Sequence, residues 1–258
     1  MPDTSTVHEV LTAGFRVGYR DDSIGTGETR DSGHPARRAR LRPELEVLLW
    51  QRALGPFEGA WALPGGVLRD DEDLTASARR QLAEKVDLRD VAHLEQLSVF
   101  SDPARVPGRR TIASTFLGLV PVTADPQLPP DTRWHPVCSL PDMAFDHRTV
   151  VEHARARLAA KMSYTNIAFA LAPAEFTMSE LRDIYEAGLG YPVDTTNLQR
   201  VLTRRGVIEA TGRAARSGPG GGRPAAVHRF AERSLRITDE FAALRPPGWS
   251  GPGAEDSD

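Results

Sequence analysis

The chain has 258 residues, 40% of them hydrophobic and 26% charged, with a net charge of −3; this is the balance of a soluble globular protein with one large domain or two small ones. No apolar run approaches the ~20 residues of a membrane helix, and the start MPDTSTVHEV has neither the basic segment nor the apolar core of a signal peptide. The single cysteine, Cys138, excludes an internal disulfide and a cysteine-only metal site, so the expected setting is a reducing cytoplasm without a membrane partner.

Residues 7–18 (VHEVLTAGFRVG) and 44–52 (ELEVLLWQR) read as strands from their density of Val, Leu and aromatic residues. The segment 19–43 between them is polar and rich in Gly, Pro and charge, and reads as a flexible insertion in a β-hairpin connection. GPFEGAWALPGG follows as a loop, with Pro64-Gly65-Gly66 predicted to turn tightly. The pattern then becomes helical. Leu74, Ala78, Leu82 and Ala83 share one face, and Asp70, Asp71, Glu72 and Asp73 cluster where a helix dipole favours acids. Strands are predicted near 94–100 and 111–120, flanking the basic loop SDPARVPGRR. Six prolines across 121–145 leave room for short strands at most. Residues 147–171 read as one long helix with a break near Ser163, burying Val151, Ala154, Leu158, Met162, Ile167, Ala168 and Leu171.

Beyond Pro173 the sequence changes character. Thr177 is a helix N-cap with Glu180 three residues on, a capping box; Leu181, Ile184 and Tyr185 form the apolar face, and Gly188 and Gly190 end the helix. Asp194 starts a second helix with Leu198, Val201 and Leu202 inward, closing at Gly206. VIEATG and AAVHRF read as two strands around RAARSGPGGGRP. Helix, turn, helix and basic hairpin describe a winged helix-turn-helix. The outward face of its second helix carries Thr195, Thr196, Asn197, Arg200 and Arg204, which suit base edges and phosphates in a major groove. Arg213, Arg216 and Arg223 in the hairpin suit a phosphate backbone or a minor groove. Between Thr196 and Arg229 seven arginines face one acid, Glu209. Lys85 and Lys161 are the only lysines, so arginine is the default cation here, and it is the clustering that argues for DNA. The plainer alternatives are a solvated charged face or a protein-docking module.

The helix predicted from residue 74 carries a second pattern. Gly66 is followed six positions later by Glu72 and eight further on by Arg80, then by QLAEKVDL ending at Leu88, with WALPGG ahead. This resembles the Nudix box, G-x5-E-x7-R-E-U-x-E-E-x-G-U with U aliphatic. The resemblance covers roughly residues 7–145 and implies an α/β/α sandwich around a mixed sheet. In Nudix hydrolases the carboxylates at i, i+3 and i+4 share a helical face and hold divalent cations that bridge a pyrophosphate. Here those positions are Gln81, Glu84 and Lys85. Two negative charges are lost and a positive one is gained, so hydrolysis by that route is not expected, and neither a catalytic residue nor a metal site is assigned. Asp87 replaces the glycine that closes the helix and is expected to take over its left-handed turn.

A degenerate box joined to FDHRTVVEHARARLAAKMSYTNIAFALAPAEFTMSELRDIYEAGLG and GRPAAVHRF resembles the Nudix-related transcriptional regulators of NAD metabolism, over essentially the whole chain apart from the insertion and the tail. The resemblance implies an α+β chain with a Nudix-like effector-binding domain at 1–146, a linker helix at 147–172, a winged helix-turn-helix at 173–233, and a helix end with a disordered tail at 234–258. It implies a bacterial homodimer, a repressor that reads a double-stranded operator, needs no cofactor, and senses ADP-ribose or a related nucleotide. Release of DNA by the ligand requires that the ligand bind the DNA-free state more tightly. The residues we assign to the effector are Phe57 and Trp61 for stacking on adenine, and Arg80, Glu84 and Lys85 on the box face, with Lys85 facing a phosphate in the metal's place. Arg105, Arg109 and Arg110 complete the set; their loop keeps Asp102, Pro103, Arg105 and Pro107 of a D-P-x-R-D-P pattern found in ADP-ribose hydrolases. Two other functions stand beside this one: a weak ADP-ribose or nucleotide-sugar pyrophosphatase with a DNA-binding domain attached, and a sugar-responsive regulator of a carbohydrate operon.

Overall fold

The computed structural model describes residues 6–21, 41–215 and 224–239. Strand β1 (Val7–Asp21) is the centre of a seven-stranded mixed sheet with β2 (Leu41–Gln51), β3 (Trp61–Ala62), β4 (Gly65–Val67), β5 (His93–Phe100), β6 (Thr111–Leu119) and β7 (Thr132–Pro136). It runs parallel to β6 along one edge; along the other it pairs antiparallel with β4 and then with β2.

Period-two alternation along β1 sets the layers. Val10 faces helix α1 (Leu74–Val86), where it packs with Ala78 and Phe116, while Leu82 and Val86 pack with Leu48, Leu88 and Val120. Ala13, Phe15 and Val17 face helix α2 (His147–Tyr164), against Val150, Val151, Ala154 and Leu158. The sheet is thus sandwiched between two helices.

The second domain contains α3 (Met178–Leu189), α4 (Thr195–Arg204) and a small sheet ordered β8 (Phe176–Thr177), β10 (Ala226–Phe230), β9 (Ile208–Ala214). Its helix boundaries follow local chemistry. The Thr177–Glu180 capping box is formed, Gly190 closes α3 at φ 81°, and Asp194 caps α4 through its bond to the Asn197 N–H at 2.7 Å. One apolar cluster runs without interruption from Phe15 of β1 through Leu158 of α2 to Ile184, Leu198 and Phe230 of the winged helix. No helix among the described residues is long and apolar enough to cross a membrane.

Several elements differ from the sequence expectation, each for a physical reason. Pro64-Gly65-Gly66 is not a tight turn: Gly65 and Gly66 lie in β4, opposite Leu11 and Val10. Their glycines answer crowding, since a Cβ on Gly65 would stand 2.4 Å from the Val10 carbonyl oxygen and one on Gly66 2.6 Å from the Gln81 amide. The β1–β2 ladder continues through Tyr19↔Pro43 to Asp21↔Leu41, so both ends of the expected 19–43 insertion are strand; residues 22–40 lie outside the described residues. Backbone pairing sustains these ends although Tyr19, Leu41 and Arg42 are exposed. The break expected near Ser163 falls as predicted, α2 stopping at Tyr164. The Thr165 hydroxyl donates to Lys161 O at 2.7 Å, closing the last turn, and a 3-10 turn at Ile167–Ala170 follows. Gly188 does not end α3 but lies inside it, where a Cβ would meet Met162 Sδ at 2.3 Å, so it lets α3 approach α2. Past β10, residues 231–239 contain no helix: Ile237 bridges to Thr165, and the rest of the predicted helix end and tail lies outside the described residues.

Candidate functional site

The box helix begins with Asp73 accepting from the Ala76 N–H at 2.8 Å. Glu72, one residue earlier, turns back onto Arg80, with Arg80 Nε to Oε2 at 2.7 Å and Nη2 to Oε1 at 2.5 Å. Arg80 Nη1 also reaches Glu84 at 3.2 Å. The Arg80 hydrogen bonds hold the Glu72 carboxyl down at about 2, and Glu72 in turn raises the Arg80 guanidinium. Lys85 Nζ donates to the Gly65 carbonyl and sits 4.9 Å over the Trp50 ring. Burial first, and then the charge of Arg52, lower its pKa, while Glu9 acts in the opposite sense. The Gln81 amide, turned so that its nitrogen faces Gly65 O at 3.2 Å, accepts from both terminal nitrogens of Arg80 at 3.2 Å. Asp87 takes the left-handed conformation (φ 48°, ψ 32°) expected of it, and its N–H reaches Leu82 O.

A divalent cation does not fit this donor set. Glu72 and Glu84 are engaged by Arg80, an ammonium stands at the third ligand position, and among the described residues no three His, Cys, Asp or Glu side chains are grouped to hold a metal.

An aromatic wall lies beside the cluster. Phe57 and Phe145 both adopt positive φ (64° and 53°) and meet edge to face at 4.9 Å, with the Arg52 guanidinium 4.9 Å over the Phe145 ring. Bulky residues in this region cost about 1 kcal/mol or more and are held there by their surroundings. Phe57 is exposed. Trp61 is half-buried in β3, edge-on to His135 at 4.2 Å and tied through its backbone to Asp142 and Ala144, so it builds the wall more than it faces solvent.

The three loop arginines part company. Arg109 and Arg110 are exposed, and Arg110 donates to Ser101 O at 2.6 Å. Arg105 turns inward instead. Its side chain is 1% exposed and forks onto Asp146 at 2.9 and 2.8 Å, while Nη1 holds Glu9 at 2.5 Å. Burial opposes this charge, but its hydrogen bonds to Asp146 and Glu9 outweigh the burial and raise the pKa. In this structure Arg105 is not an open phosphate contact, because two carboxylates already claim it. Next to Asp146, His147 Nδ1 accepts from the Leu63 N–H at 3.0 Å, and complete burial pushes its pKa down to about 3. Sequence reasoning missed Glu9, Arg52, Phe145, Asp146 and His147. Glu9 and Arg52 lie in predicted strands and Phe145, Asp146 and His147 at or just before the start of the predicted helix, where nothing in the local pattern signals a chemical role.

At the far end of the chain α4 exposes Thr196, Asn197, Arg200 and Arg204, with Thr195 half-buried at its start. Arg200 donates to Asn197 Oδ1 at 2.7 Å, and neither Arg200 nor Arg204 has a carboxylate partner among the described residues. The other described arginines of the basic stretch are paired: Arg205 with Asp239, Arg213 with Glu175, and Arg229 with Glu209. Arg216 and Arg223 lie outside the described residues.

Two cavities bear on where a ligand could go. One of about 450 Å³ borders the box loop at His8, Val67, Arg69, Asp70 and Glu72. A larger one, about 910 Å³, opens between the start of β2 and the end of α3, where Arg182 is already paired with Asp183 and Glu186. Volume favours the second, but the first borders Glu72 of the box; neither is lined by Lys85, Arg105, Phe57 or Phe145.

Residues 34–154 match the model of the NUDIX domain, and residues 168–230 match that of the NrtR DNA-binding winged helix domain. The chain is 34% identical over 195 residues to the ADPR responsive transcriptional repressor NtrR of Acinetobacter baylyi, spanning 73% of this chain and 76% of that protein. The fold is similar to the crystal structure of Shewanella oneidensis NrtR, with 25% identity, a TM-score of 0.65, and coverage of 87% of this chain and 94% of that one. It is equally similar to the same protein complexed with a 27mer DNA, with 26% identity, a TM-score of 0.65, and coverage of 86% and 92%.

Proposed function

The chain belongs to the family of these NtrR and NrtR proteins, a NUDIX domain joined to an NrtR winged helix, and from that premise we propose that it is an ADP-ribose-responsive transcriptional repressor of NAD-metabolism genes. In this reading it binds its effector without hydrolysing it. The observation that carries the second half is Lys85, a half-buried ammonium at a position where a hydrolase needs a carboxylate. A pyrophosphate carries about two negative charges and would find a fixed cation there in place of magnesium. Exposed Phe57 offers a face for the adenine, and Arg109 a phosphate or ribose contact.

The DNA-reading surface is α4, with Arg200 and Arg204 free to exchange their counterions for phosphates or to fork onto guanine edges. Acting as a homodimer in the cytoplasm, the protein would present two such helices to a two-fold operator. ADP-ribose releases the DNA only to the extent that it prefers the DNA-free form, and couplings of this kind are typically about 1–3 kcal/mol, or 5- to 150-fold.

Fluorescence anisotropy of a duplex carrying the protein's own promoter, titrated with and without ADP-ribose, tests the whole reading. The expected result is tight binding that ADP-ribose weakens by about tenfold or more while the nucleotide is recovered intact in the presence of magnesium. Release of ribose 5-phosphate at enzymatic rates would instead assign a pyrophosphatase. Release of DNA by free sugars but not by ADP-ribose would assign a carbohydrate regulator.

A further inference from the structure

Helix α2 is fastened at both ends. At its start Asp146 receives the fork of Arg105, and His147 accepts from the Leu63 backbone. Along its length Lys161 reaches Glu95 of β5 at 2.6 Å. Just past its end Asn166 grips the chain that follows the wing: its Nδ2 donates to Ser234 O at 2.8 Å and Glu232 O at 3.3 Å, and its Oδ1 accepts from the Arg236 N–H at 2.7 Å. Helix α3 is seated on α2 where Gly188 meets Met162. A shift of the first turn of α2 therefore reaches both α3 and the wing through packed, hydrogen-bonded contacts.

The restraint at that first turn is shared with the box. The third arm of Arg105 holds Glu9, which stands opposite Val67 in the β1–β4 ladder, two residues before Leu11 and its partner Gly65. The Gly65 carbonyl is the one that Lys85 holds. A single buried guanidinium thus bridges the strand beside Lys85 to the residue that precedes α2. Glu9 and Asp146 keep 21% and 22% of their side chains exposed, so an anion arriving at Lys85 meets Glu9 and competes for the cation that both carboxylates share. Of the three arginines in SDPARVPGRR only this one is buried.

We propose that Arg105 is the positioning residue that couples effector occupancy to the DNA-binding domain. Without effector its fork fastens Asp146 and the first turn of α2. A pyrophosphate lodged against Lys85 competes across Glu9 for the charge of Arg105 without touching the guanidinium, and so loosens the fork on Asp146 and frees that turn. The inference rests on the effector site proposed above and adds how its occupancy is transmitted.

The test uses the full-length protein and a duplex selected from a random pool by the unaltered chain, with ADP-ribose affinity measured separately by calorimetry. Asp146→Asn removes the charge that Arg105 grips, and Arg105→Lys keeps the charge but loses the fork. Both variants are expected to bind ADP-ribose within about threefold of the unaltered chain and to bind duplex at the weakened level that the unaltered chain shows with ADP-ribose, so the duplex affinity ratio without and with ADP-ribose collapses towards 1. A purely structural ion pair would lower the thermal midpoint and leave that ratio intact, which overturns the proposal. Loss of ADP-ribose affinity by more than about tenfold in Arg105→Lys alone also overturns it, because Arg105 is then a direct ligand contact. If Arg105→Lys does not fold, Asp146→Asn decides the matter by the same ratio. If the unaltered chain selects no duplex, or is not released from it by ADP-ribose, the proposed function itself fails and takes this inference with it.

Discussion

The box cluster and helix α4 are both cationic, and they treat charge in opposite ways. Arg80, Lys85 and Arg105 are committed to partners within the chain: two glutamates, a backbone carbonyl, and a Glu9–Asp146 pair. Arg200 and Arg204 project into solvent with no carboxylate beside them among the described residues. A paired and buried cation acts as a tie whose release has consequences elsewhere in the fold. An unpaired, exposed one is ready for an external polyanion at little desolvation cost. Within the basic stretch 196–229, counting arginines does not set α4 apart; asking which described ones are already paired does.

The sharpest way to break this comparison is acid. Neutral His147 is held at about 3 inside the protein, whereas an unfolded histidine titrates near 6.5. Below that value the unfolded chain takes up a proton that the folded one refuses. Stability should therefore fall as pH drops from about 6 towards 3, by about 1.4 kcal/mol per pH unit from this group. Glu72, held near 2, adds a further loss as pH falls below 4.5. Urea midpoints measured across this range should show a shallower acid slope in His147→Gln above pH 4.5, and an unchanged slope would remove the buried histidine from the account.

The next effect in size concerns DNA. Arg200→Ala and Arg204→Ala should each weaken duplex binding by about 1–3 kcal/mol, and each should reduce the salt slope by about 1 where it meets a phosphate. Their thermal midpoints should be unaltered. Arg205→Ala, next in sequence but paired with Asp239, should do the reverse, lowering stability by up to about 1 kcal/mol with little change in DNA affinity. Equal effects from Arg204 and Arg205 would erase the distinction between free and paired cations. Lys85→Ala should weaken ADP-ribose binding by about tenfold, read by calorimetry, and an unchanged affinity would remove Lys85 from the effector site. The smallest effect expected is on the α4 cap, where Asp194→Ala should cost about 1 kcal/mol in urea unfolding.

What could be read from the sequence was local. The Thr177–Glu180 box, the Asp194 cap and the left-handed Asp87 depend on residues within five positions of one another, and each formed as its spacing implies. Pro64-Gly65-Gly66 misled because a glycine pair has the same signature in a turn as in a strand pressed against a neighbour's backbone. Arg105 misled for a different reason. Its partners lie 96 and 41 residues away, and nothing in SDPARVPGRR says which of three arginines turns inward. The residue types at Gln81, Glu84 and Lys85 were legible in the sequence, yet their engagement with Arg80 and Gly65 became visible only once β4 was laid beside α1.

The apolar cluster that runs from Phe15 to Phe230 has a consequence for how such a chain can be built. Two domains that share one interior melt together, so calorimetry should record a single transition, and an effector bound at the box raises the melting temperature of the winged helix as well. Cutting the chain at 172 would bare Leu158 and Met162 on one side and Ile184 on the other. Sensor and reader are no longer interchangeable parts: neither half can be swapped for a foreign one without recutting the interior they share.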